Sequence, residues 1–168
     1  MRDLANVALD TAQQKGASYA DIRFVTDRSR NVSVKNGKVE SLSNNESQGF
    51  GVRVIVNGAW GFSSSSLVTR AEIERVTAEA VQIARASASV FRQPVQLGDP
   101  ISIQDRYVTP ADIDVFSVSL DDQIKILLEA DLEMRRVEGT RIANGMISTL
   151  TTSKIFASTE GSYIEQEL

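Results

Sequence analysis

The 168-residue chain contains no cysteine and no histidine. Without cysteine no disulfide framework can form, which fits a reducing compartment. Without either residue the chain cannot build a zinc site of nitrogen or sulfur type, and it lacks the commonest general base and the thiol nucleophile. Carboxylate chemistry remains open. No apolar run approaches the roughly 18–20 residues that span a bilayer. Met1-Arg2-Asp3 leads at once into amphipathic spacing instead of a signal peptide, so the expected location is cytoplasmic. Positive charge is in the minority: 18 Lys and Arg stand against 22 Asp and Glu, a net charge of −4. Such a balance gives no bulk electrostatic attraction to nucleic acid or an anionic membrane, and neither is expected as a partner.

What is present is an ordinary globular composition, 42% hydrophobic and 24% charged. That excludes disorder and fibrous repeats and suffices for one large domain or two small ones. Leu4, Val7, Ala8 and Ala12 follow helical spacing, with Gly16 at the stop. Tyr19–Thr26 alternates as a strand, with Ala20, Ile22 and Phe24 on one face. Asn36-Gly37 and Asn57-Gly58 are hairpin turns, joining 31–35 to 38–42 and 50–56 to 59–63, because both central positions of a type I′ turn need positive φ. In the second hairpin Phe50, Val52, Val54 and Val56 share a face opposite Gly51, Arg53 and Ile55.

Thr69-Arg70-Ala71-Glu72 has capping-box spacing. It opens a helix on Ile73, Val76, Ala80, Ile83 and Ala84 whose many alanines predict close packing against a sheet. Residues 89–116 hold all three prolines (Pro94, Pro100, Pro110) and no periodicity, and read as a connector crossing the domain. Ser119 caps a further helix with Asp121 and Asp122 in its first turn. Its expected buried stripe is Ile124, Leu127, Leu128 and Leu132, and Gly139 closes it. Residues 142–152, 154–159 and 163–167 read as strands, the last two joined by a Glu160-Gly161-Ser162 turn. The fold class is therefore α+β, a mostly antiparallel sheet with N-terminal, middle and late helices packed on it.

The residues that could carry chemistry have plainer readings. Asp112-Ile113-Asp114 is an Asp-x-Asp pair without the further oxygen ligands of a cation loop. Asp121, Asp122, Glu129 and Glu133 are spaced as a solvated helix face, and Asp131 with Arg135 as an ordinary i, i+4 pair. Gly49-Phe50-Gly51 lacks the dinucleotide fingerprint and opens a strand, so its glycines mark close backbone approach. Asn31-Val32-Ser33 and Asn45-Glu46-Ser47 match glycosylation acceptors but carry no weight without a secretory signal. Trp60 and Phe62 alternate after the second turn. Core or inter-domain packing is their expected role, and contact with a peptide the minority reading. No catalytic, cofactor-binding or metal-binding residue is assigned.

Longer stretches carry a resemblance. Residues 16–23 (Gly-Ala-Ser-Tyr-Ala-Asp-Ile-Arg), 36–40 (Asn-Gly-Lys-Val-Glu) and above all the block Gly49–Phe62 resemble the N-terminal domain of the TldD/PmbA family. Residues 80–86, 119–124 and 157–161 extend the likeness over essentially the whole chain, most thinly across 89–106. The Ala59-Trp60-Gly61-Phe62 ending leans toward the TldD branch. The resemblance implies a cytosolic zinc metallopeptidase, once named a modulator of DNA gyrase, whose TldD-type subunit holds zinc through a His-Glu-x-x-x-His helix and a later Cys. It implies pairing with a PmbA-type subunit that lacks the motif, and trimming of unfolded peptides.

None of those zinc residues has a counterpart here. The chain, 1–168, is expected to be the family's N-terminal domain, with the catalytic C-terminal domain absent, zinc belonging to that missing domain, and the isolated chain inactive. The expected role is to wall a substrate channel and support assembly with a homo- or heterodimeric partner subunit, with unfolded peptide as substrate. The rivals are a domain of a catalytically silent PmbA-type subunit, which a downstream His-Glu-x-x-x-His motif would exclude, and a stand-alone peptide-binding or oligomerisation module.

Overall fold

The computed structural model describes residues 1–90 and 93–168. Among these, three helices and six strands follow the order α1 (Arg2–Gln14), β1 (Tyr19–Lys35), β2 (Lys38–Val56), β3 (Ala59–Ser65), α2 (Arg70–Ala88), β4 (Gln104–Val108), α3 (Leu120–Arg136), β5 (Asn144–Ser158) and β6 (Tyr163–Glu167). The strands form one sheet in the order β3-β2-β1-β5-β6-β4. The β2–β3 and β5–β6 pairs are antiparallel and β4–β6 is parallel, which confirms the α+β, mostly antiparallel expectation. No helix among the described residues is long and apolar enough to cross a membrane.

Both Asn-Gly turns form as expected. Asn36 and Asn57 sit at φ 49° and 52°, followed by Gly37 and Gly58 at 79° and 76°, the left-handed values a type I′ turn demands. The cap residues also hold: Thr69 Oγ1 accepts the Glu72 N–H, and Ser119 Oγ accepts the Asp122 N–H. The reciprocal half of the Thr69 capping box does not form. The Glu72 carboxylate turns to Arg75 instead, while the Thr69 N–H donates to the Leu67 carbonyl.

The chain divides into two compact units, residues 1–26, 47–108 and 152–168, and residues 27–46 and 109–151. In the first unit α1 and α2 lie on one face of the sheet. Ala5, Ala8 and Ala12 of α1 and Ile73, Val76, Ala80, Val81 and Ala84 of α2 share a core with Ala20, Ile22, Phe24, Phe50, Val52, Val54, Val56 and Ala157. The alanine-rich side of α2 allows a very close approach. A Cβ built on Gly61 of β3 would collide with the Ala80 carbonyl oxygen and come within 2.6 Å of the Ala84 nitrogen. In the second unit Leu127 of α3 packs on Val32 and Val34, with Leu120, Ile124, Leu128 and Ile147 at the margin.

Four expectations needed correction. β1 and β2 are each one long strand instead of separate short ones, because ladder pairing continues through polar stretches (27–31 and 43–48) whose side chains interrupt the hydrophobic alternation. β5 likewise runs unbroken through 153. The connector read over 89–116, of which Phe91 and Arg92 lie outside the described residues, contains β4. Every side chain of β4 is exposed, so no apolar period marks it. Pairing with β6 secures it, helped by the Arg106–Glu167 ion pair and by Ser162 Oγ accepting the Ile103 N–H.

The fourth correction is the buried face of α3. It runs through Gln123, Leu127 and Asp131, while Leu132 is exposed. The cause is Asp131, which is fully buried below the Asn36-Gly37 turn. Its Oδ2 accepts from Arg135 Nε at 2.6 Å, and the Arg135 guanidinium lies where a Gly37 Cβ would stand. Burial works against the Asp131 charge. The Arg135 guanidinium and the turn's amides outweigh it and hold the carboxyl below its ordinary range. Its Oδ1 makes no hydrogen bond of standard geometry, so those amides act as oriented dipoles.

Candidate functional site

Strand alternation in the first unit sends one set of side chains into the helix-packed core and the other to a face that no helix of that unit covers. Tyr19, Asp21 and Arg23 of β1, Gly51, Arg53 and Ile55 of β2, and Trp60 and Phe62 of β3 belong to the second set. The β2–β3 register places Ile55 opposite Trp60 and Arg53 opposite Phe62.

At the centre is Asp21, whose side chain is buried although the face is open. Its carboxylate accepts from Arg53 Nε (3.0 Å) and Nη2 (2.7 Å) and from the Tyr19 hydroxyl (3.0 Å). This satisfies the charge that burial penalises. Arg53 lies over the Trp60 ring, 5.1 Å from its centroid, and Tyr19 meets that ring edge-on at 5.8 Å. Burial, and then the neighbouring Asp21 carboxylate, push the Tyr19 hydroxyl up to about 12. Tyr19 is therefore a hydrogen-bond donor to Asp21 at neutral pH.

Phe62 completes the face. Its ring lies over Gly51, where an added Cβ would come within 2.8 Å of it, while the close backbone approach expected of this stretch is at Gly49, where a Cβ would lie 3.2 Å from the Ser65 carbonyl oxygen. Trp60 and Phe62 remain 37% and 55% exposed. Of the packing roles expected for them, the one in this chain's own core is corrected: that core lies on the other face, which β3 fills with Ala59 and Gly61. Hydrophobic spacing marks two faces of a strand without saying which one the helices cover.

The other candidates from the sequence are dispersed. Asp114 Oδ1 accepts the Phe116 N–H within a turn, and Asp112 beside it is exposed. Glu133 pairs with Arg136, and Asn31 Nδ2 donates to Ser43 Oγ. Asp131 is the residue that sequence reasoning underrated. The only signal was its i, i+4 spacing to Arg135, which surface pairs share.

Comparison with known proteins gives the likenesses that follow. Residues 20–84 match the model of PmbA/TldA metallopeptidase domain 1. A metalloprotease of Methanocaldococcus jannaschii is 30% identical over 150 residues, 89% of this chain and 33% of the relative. A zinc metalloprotease TldD homolog of Saccharolobus solfataricus is 35% identical over 63 residues, 38% of this chain and 14% of the relative. A proposed modulator of DNA gyrase from Thermotoga maritima superposes with a TM-score of 0.78 at 14% identity, over 99% of this chain and 37% of that structure. TldE from Thermococcus kodakarensis gives 0.75 at 13% identity, over 98% and 36%. These two likenesses speak to the fold. The chain spans about a third of the length of the M. jannaschii relative.

The relatives' names imply a metal, which the donors of this chain do not fit. It offers neither imidazole nor thiolate, Asp21 and Asp131 are each committed to an arginine, and no group of three or more potential ligands gathers among the described residues. The matched segment and the similarity along most of the chain agree: the chain is similar to the first, N-terminal domain of the TldD/PmbA metallopeptidases.

Proposed function

We propose that this chain forms the non-catalytic wall of the substrate channel in a TldD/PmbA-type zinc peptidase, holding unfolded peptide in extended form across the helix-free face of the first unit. The observation that carries this reading is that face itself: two large aromatic rings, Trp60 and Phe62, stay exposed beside Arg53 on a rigid sheet. Exposed aromatics on a rigid support offer contact area at little entropic cost and accept varied side chains, as a peptidase of loose preference needs. The chemistry belongs to a domain with its own metal ligands. A His-Glu-x-x-x-His motif following in the same polypeptide would make this a TldD-type subunit, and its absence there a PmbA-type one.

Trp60 is the only tryptophan, so its emission reports on this face alone. Titrating a reduced, unfolded polypeptide should shift the emission to the blue saturably, and Phe62→Ala should weaken the effect. Emission unmoved at any peptide concentration would overturn the reading.

A second observation supports a role in assembly. In the second unit Ile124, Leu128 and Leu132 line a shallow groove along α3, bordered by Asp121, Lys125 and Glu129. We assign this surface to a partner subunit of the same family. Leu128→Glu should then lower the mass of the assembled species in sedimentation. An unchanged mass would remove the assignment.

A further inference from the structure

The helix-free face of the first unit also carries a cavity of about 500 Å³, built by neighbouring strands in a regular way. β1 contributes Arg23 and Val25, β5 Lys154, Ile155 and Phe156, and β6 Ile164 and Gln166. Ile155 packs toward the core; the other six are spaced i, i+2 on their strands, and the β5–β6 register sets Phe156 opposite Ile164 and Lys154 opposite Gln166, so these six side chains share one face. The lining combines two cations, Arg23 and Lys154, and the Gln166 carboxamide with apolar Val25, Phe156 and Ile164.

The two cations are poorly compensated. Asp21 is the carboxylate nearest Arg23, but Arg53 and Tyr19 already occupy it, and Arg23 reaches it only at 3.8 Å, beyond hydrogen-bond distance. Arg23 is instead held over the Phe156 ring, 5.3 Å from its centroid, with its side chain half exposed. Lys154 has no ion-pair partner among the described residues. A planar guanidinium fixed by an aromatic ring, an ammonium, and a carboxamide that can also donate suit a carboxylate flanked by an apolar group.

We infer that this cavity binds the C-terminal carboxylate of an extended peptide, the last side chain lying against Val25, Phe156 and Ile164. The inference rests on the peptide-holding reading of the same face. The geometry fits: β3 is three strand spacings from β5, on the order of 14 Å. About four extended residues span that distance, so a peptide anchored here reaches Trp60 and Phe62. The anchor would measure the chain from its end, which gives a peptidase register on substrates that differ in sequence.

The test uses the 168-residue chain and an N-terminally fluorescein-labelled hexapeptide ending in leucine, followed by anisotropy. The free acid should bind about tenfold tighter than the same peptide amidated, the loss expected for charge-assisted hydrogen bonds. Lys154→Gln should bring the acid down to the level of the amide without changing the circular dichroism spectrum. Arg23→Gln should do the same, and Lys154, being exposed, carries the test if Arg23→Gln fails to fold. Acid and amide binding equally would overturn the carboxylate site and leave the peptide-holding face standing. No binding of either would overturn both. An amidated peptide ending in aspartate that binds as tightly as the acid would overturn the C-terminal assignment. So would displacement by inorganic phosphate at matched ionic strength.

Discussion

Replacing Gly61 by alanine adds one methyl group at the closest approach between helix and sheet. The new Cβ would collide with the Ala80 carbonyl oxygen and lie 2.6 Å from the Ala84 nitrogen and 2.9 Å from its Cβ. Comfortable carbon contacts begin near 3.5 Å, and two of these three neighbours are main-chain atoms, so no rotamer change relieves the clash. Helix α2 must therefore retreat from β3 by roughly 1 Å, a gap that already forfeits a quarter to a half of each dispersion contact. The contacts at stake are those of Ile73, Val76, Ala80, Val81 and Ala84, all essentially inaccessible to solvent. Overpacking costs typically about 1–3 kcal/mol, and a backbone-limited case belongs at the upper end, about 3 kcal/mol. Against a total of roughly 5–15 kcal/mol, that is a large loss. Urea unfolding followed by far-ultraviolet circular dichroism measures it, with Gly98→Ala as the control because nothing lies within 4 Å of a Cβ there. Should the two variants unfold within about 0.5 kcal/mol of each other, the spread expected of neutral surface changes, the close-packing argument fails.

Gly58→Val should cost about 1–3 kcal/mol in the same assay, since a β-branched residue would be forced to φ 76° with its Cβ 2.8 Å from that of Pro94; an unchanged urea midpoint would refute it. Arg53→Met strands the buried Asp21 carboxylate. Because Arg53 is itself 38% exposed, the loss is discounted from that of a fully buried pair to about 1–3 kcal/mol, and Trp60 emission should change as the cation leaves its ring. The folded-state pKa of Tyr19 lies above its unfolded value, so the stabilisation is complete below pH 10 and is lost as pH rises through about 12. Tyr19→Phe should flatten the decline in unfolding free energy over that window, and an unaltered slope would exclude Tyr19 as its source. After dialysis, elemental analysis should find no stoichiometric zinc, and one tightly held ion per chain would contradict the donor argument.

Part of this molecule was legible in the sequence because it depends on neighbours along the chain. Positive φ at Asn36-Gly37 and Asn57-Gly58, the Thr69 and Ser119 caps, the alternation of Phe50–Val56 and the alanine face of α2 are all set within a few residues. The Gly49–Phe62 block carried the family resemblance for the same reason. What tertiary structure decided depends on distant partners. Residues 104–108 are a strand because 163–167 offer a free ladder of amides and carbonyls, and no period in their own sequence announces it. Asp131 is buried because the Asn36-Gly37 turn folds over it, and that rotates α3 enough to expose Leu132. The face of Trp60 and Phe62 was the most consequential case. Alternation separates the two sides of a strand, but only the landing of α1 and α2 made one of them core, leaving the aromatic and cationic side open as the candidate site.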